Sequence, residues 1–168
     1  MSGGRNLYLL GALALAILGM TYGLWYAVFA EHQALDGIGS SLSASFTAAA
    51  QRNHAASGLS LNQYREAKYV YDRQVDVHGH WIGLAMLLFL LGIAYDHLQL
   101  AERSKYWLGM ALLAGSFLFP LAVLLQTFSH DAWPRALAVL GSTLVIIPLA
   151  VLSFAFLRRT APDSSPAR

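Results

Sequence analysis

Charge in this chain is confined to the gaps between four long apolar runs. Residues 7–30, 77–95, 106–130 and 136–157 contain no Asp, Glu, Lys or Arg, and each run is at least 19 residues long. A helix needs roughly 20 apolar residues to cross the hydrocarbon of a bilayer. A membrane strand would be about 10 residues long and alternate in polarity, and no such alternation occurs here. The runs therefore predict an all-α protein, a four-helix transmembrane bundle. Composition agrees: 57% of the 168 residues are hydrophobic and 12% are charged, against about 25% charged in soluble domains. This balance excludes a disordered chain, a nucleic-acid binder with a basic groove and most soluble enzymes. The chain has no cysteine, which excludes disulfides, thiolate nucleophiles, zinc–thiolate sites, iron–sulfur clusters and covalent haem attachment. No phosphate loop, catalytic triad, zincin or dinucleotide motif is present.

The first run ends in Val28-Phe29-Ala30, which would suit a signal peptidase. Its apolar stretch exceeds the 7–15 residues usual for a signal peptide, and it is read as a spanning helix. Arg5, Arg103, Lys105, Arg158, Arg159 and Arg168 fall on one side of the membrane, and Arg52, Arg65, Lys68, Arg73 and Arg135 on the other. Most of the second set lies in one long connection, where cations weigh less in topology. The expectation is N-in and C-in, in a bacterial inner membrane with the long loop outside.

That loop, 31–76, is too long for a turn and is expected to fold as a helical cap over the outer mouth of the bundle. Gly37-Ile38-Gly39 suggests a flexible exit from the first span. Residues 40–53 suit a short surface helix ended by Gly58. Ser60-Leu61-Asn62-Gln63 has the form of a capping box, from which one long helix runs out of water into the membrane. Pro120 and Pro148 fall inside spans and free the carbonyls of Ser116 and Leu144. Residues 160–168 are expected to be a disordered tail, and the whole chain is one domain.

Of six histidines, His32, His54, His78, His80 and His130 fall on the outer side. His78 and His80 stand at or within the membrane boundary, where ionisable residues are costly and tend to be functional. Residues i and i+2 on a helix point about 200° apart, so these two cannot bind one small ion together. Asp76 precedes His80 by one turn and offers a carboxylate–imidazole pair. His130, Gln126 and Thr127 arrive at the same level, as do Tyr22, Trp25 and Tyr26. Two readings follow. In one, His78 or His80 pairs with His130 as axial ligands of haem b, with Arg73 for the propionates and Tyr26 in the packing layer. In the other, Asp76, His80 and His130, with His78 nearby, hold copper. The plain counterpart is interfacial histidines bonded to loop carbonyls within an aromatic belt, in a cofactor-free accessory subunit of a membrane complex. Gly and Ala in the first and third spans suit close packing and a homo-oligomer.

The segment Val75-Asp76-Val77-His78-Gly79-His80-Trp81-Ile82-Gly83-Leu84, followed by an apolar run and Gly92, resembles the His-x-His helices of the haem–copper oxidase and nitric oxide reductase catalytic-subunit superfamily. The resemblance covers residues 75–92. It implies haem b ligation by His78 or His80 and electron transfer between a quinol or partner subunit and a periplasmic acceptor. The chain departs from that pattern in having four spans rather than twelve, no paired His-His on another helix and no Tyr set for a cross-link to His. The implied relative is a single-haem protein, not an oxygen- or nitric-oxide-reducing centre.

Overall fold

The computed structural model describes residues 3–160. They form five helices: α1 (Gly3–Phe29), α2 (Glu31–Ala50), α3 (His54–Ile93), α4 (Glu102–Leu125) and α5 (Ala132–Thr160). A 3₁₀ turn, Tyr95–His97, follows α3, and there is no strand among the described residues. Helices α1, α3, α4 and α5 are long and apolar enough to cross a membrane. The expected disordered tail lies outside the described residues, except that Thr160 belongs to α5.

The long loop differs from its expected form. Gly37-Ile38-Gly39 is not an exit; it lies inside α2. The only break between α1 and α2 is Ala30, and even there the backbone ladder continues, from Ala30 to Tyr26 at 2.9 Å and from Ala34 to Ala30 at 3.1 Å. Gly58 and Ser60 do not punctuate the chain either, because both are interior to α3. The reversal falls earlier, at Gln51-Arg52-Asn53. Arg52 takes the left-handed conformation (φ 57°). The amides of Arg52 and Asn53 then turn back to Ala49 and Ala48, each at 2.9 Å, the bonding of a Schellman stop. The Asn53 side chain accepts from the Ala56 amide at 3.1 Å and so caps α3. One asparagine thus ends α2 and starts α3. Ser45, which donates to the Ser57 carbonyl at 3.1 Å, holds the two arms of this hairpin together.

Helix α3 then runs for 40 residues without interruption, about 60 Å at 1.5 Å per residue. It packs against α2, α1 and α4. The loop is thus helical as expected, and the α2–α3 hairpin forms a stalk whose second arm continues directly into the apolar part of α3.

The core draws on all four long helices, with Val145 and Leu152 of α5 in the same cluster. Tyr8, Ala12 and Leu15 of α1 meet Val77, Trp81, Ala85 and Leu88 of α3 and Leu112 and Val123 of α4. Helix α5 packs chiefly on α4. The two cross at Gly115 and Gly141, where a Cβ on Gly115 would stand 2.8 Å from the Gly141 carbonyl oxygen and one on Gly141 2.7 Å from the Phe119 amide. Because α5 closes on one neighbour, an apolar groove of about 430 Å³ remains between α3 and α5, lined by Leu87, Leu91, Leu98, Leu152 and Phe156.

Candidate functional site

Side chains on α3 sort by helical angle into separate faces, and the candidate residues sort with them. His78 belongs to the α1 face. Its Nδ1 lies 2.9 Å from the Gly19 carbonyl oxygen. A carbonyl only accepts, so Nδ1 carries the hydrogen and the neutral ring keeps its lone pair on Nε2. The ring lies over Gly23, where any Cβ would overlap it. The same seam holds a hydrogen bond from Tyr22 to Gln74, edge-on packing of Tyr22 and Trp81 at 5.5 Å and the Tyr26–Tyr71 pair at 6.4 Å. Tyr71 donates to Glu31 at 3.4 Å. The buried Tyr26 hydroxyl and Trp81 indole nitrogen have no hydrogen-bond partner among the described residues.

His80 belongs to the opposite face. Its ring meets Phe119 of α4 edge-on at 4.9 Å. Its Nδ1 donates to the Asp76 backbone carbonyl at 2.6 Å, which again leaves Nε2 as the acceptor. The carboxylate–imidazole pair expected at this spacing is not formed, because the Asp76 carboxylate faces Arg73 at 3.5 Å. Nothing lies within 4 Å of the positions a Cβ would take on Gly79 or Gly83, so α3 is open beside the imidazole.

Further out on this face the polar residues continue. Arg73 stands over the Tyr69 ring at 5.3 Å. Tyr69 stacks on His130 at 5.5 Å, and His130 Nε2 is 3.3 Å from Glu66. His130 is thus docked at Tyr69, 11 positions before His80, which is about 16 Å of helix.

Two axial imidazoles must face each other across one ring plane. His80 and His130 lie at different levels and His78 looks into α1, so the described residues fit one imidazole ligand rather than a pair. The copper set is not assembled: the Asp76 carboxylate turns to Arg73 and His130 to Glu66. No group of three His, Asp or Glu side chains suited to a metal ion occurs among the described residues. Tyr26 and Arg73, expected to serve one site, are apart: Tyr26 of α1 packs on Tyr71 in the α1–α3 seam, whereas Arg73 lies with Tyr69 and Asp76 on the His80 side of α3.

One constellation was missed from the sequence. At the opposite end of the bundle, the Lys105 side chain is 7% exposed and bonds Glu102 at 2.9 Å. Its ammonium stands 4.8 Å from the centre of the Tyr95 ring. Tyr95 donates to the second Glu102 oxygen at 2.8 Å, and Tyr8 donates to the Lys105 carbonyl at 3.0 Å. These bonds pin α1, the end of α3 and α4 together. The available signal was the helical spacing of Lys105, Gly109 and Leu112, which puts the lysine on the buried stripe of α4.

No protein-family description, curated protein or solved structure matches this chain. What fold and site define is the class: an all-helical protein with four helices long and apolar enough to span a bilayer.

Proposed function

We propose that the chain is a membrane-bound b-type cytochrome whose own iron ligand is His80. The observation that carries this reading is the His80 ring itself. Its Nδ1–H is held by a backbone carbonyl, the usual way in which a protein fixes a ligating imidazole with Nε2 outward. The neighbouring surface is kept clear by Gly79 and Gly83, and Phe119 forms one wall. Haem would supply one-electron transfer. The chain's part is to orient the imidazole, to set its basicity through the Asp76 carbonyl and to offer Arg73, two turns further out, to carboxylates. His78 supports α1 packing instead. In this reading the protein sits in a bacterial inner membrane with its stalk outside, and a quinol or partner subunit feeds electrons toward a periplasmic acceptor.

With one imidazole from the chain, the purified monomer should show high-spin haem. A reduced-minus-oxidised spectrum and a pyridine assay test this. His80→Ala should abolish the haem signal, whereas His130→Ala should leave it intact. Absence of haem from the wild-type protein, or its persistence in His80→Ala, overturns the proposal.

A second reading is a cofactor-free subunit of a larger complex, favoured by the one-sided packing of α5 and the groove beside it. Fixed partners on co-purification, together with full assembly after replacement of all five outer histidines, would support it.

A further inference from the structure

At the end of the molecule where α4 begins, the described charges pair off with one exception. Arg5 meets Asp96 at 3.3 Å. Lys105 is turned inward onto Glu102, and both Glu102 oxygens are occupied, by Lys105 and by Tyr95. Arg103 has no carboxylate or hydrogen-bond partner among the described residues and is exposed. It lines an open cleft of about 520 Å³ between α4 and α5. The floor of that cleft is Leu100, Leu108 and Val151, and its rim adds the Ser104 hydroxyl and the Trp107 indole. Trp107 is 61% exposed, in the manner of tryptophans that stand at headgroup depth.

We propose that this cleft binds the headgroup of an anionic phospholipid, with the phosphodiester on Arg103 and Ser104 and the first acyl carbons on the leucine and valine floor. A guanidinium matches a phosphate oxygen pair geometrically as well as electrostatically. The apolar floor distinguishes a lipid from a free anion, and Arg103, the unpaired cation among the described residues at this end, distinguishes an anionic lipid from a zwitterionic one. The proposal is independent of the haem reading, which concerns the opposite end of the chain.

The test is native mass spectrometry of the detergent-purified full chain with phosphatidylglycerol and phosphatidylcholine of identical acyl chains. Phosphatidylglycerol should be retained about fivefold more, the effect of one cation at an anionic surface. Arg103→Gln should remove the preference, whereas Lys68→Gln on the stalk should not. As a second readout, phosphatidylglycerol with brominated chains should quench tryptophan fluorescence, and that quenching should fall in Trp107→Phe. Equal retention of the two lipids, unchanged preference in Arg103→Gln, or displacement of the lipid by millimolar inorganic phosphate would overturn the proposal.

Discussion

His78 and Gly23 are matched to each other, since the imidazole rests where a side chain on Gly23 would be. Gly23→Val should therefore lower stability by about 1–3 kcal/mol, the usual cost of overpacking. The double variant His78→Ala/Gly23→Val should recover much of that loss, and thermal unfolding in detergent reads both. At the other end, Glu102→Gln leaves the buried Lys105 ammonium without its countercharge. Its melting temperature should fall, and Glu102→Gln/Lys105→Met should restore it, because removing both charges leaves nothing unpaired. The opposed directions of His78 and His80 were legible from their spacing alone. Their partners were not. The Asp76 carboxylate had two suitors at helical spacing, Arg73 and His80, and only the fold shows that Arg73 takes it while His80 takes the backbone oxygen.

Helix ends carry their own tests. Arg52 holds a left-handed conformation that a Cβ disfavours, so Arg52→Gly should raise stability by about 0.5–1 kcal/mol. Asn53→Ala should cost about 1 kcal/mol through loss of the α3 cap. Gly115→Ala and Gly141→Ala should each loosen the α4–α5 crossing by about 1–3 kcal/mol. Their effects should be less than additive, because both act on one contact. The spans were legible because a run of roughly 20 residues without charge suits the inside of a bilayer and little else. The ends of α2 and α3 were not. Gly58 and Ser60-x-x-Gln63 look like a stop and a start, but tertiary support from α2, through contacts such as Ser45 to Ser57, keeps a helix running through both. The true stop uses arginine where glycine is usual, and no local pattern announces that.

Over the whole molecule the apolar runs gave the number of spans but not their arrangement. Nothing in the composition of α5 says that it will pack chiefly on α4, and nothing in the placing of the histidines along the chain says that about 16 Å of helix separates His130 from His80. Topology is directly testable, because the chain has no cysteine of its own. A single cysteine at Gln51, at the stalk tip, should react with a membrane-impermeant maleimide on intact spheroplasts. One at Gln99, between α3 and α4, should react only after permeabilisation, and the reverse pattern would invert the orientation. The unbroken course of α3 has one more consequence. Because His78 and His80 project from opposite sides of the same rigid turn, they work as the two ends of a seesaw. Any sideways shift of the rod that draws one ring away from its neighbouring helix carries the other toward its own, so α1 and α4 cannot be adjusted around these rings one at a time.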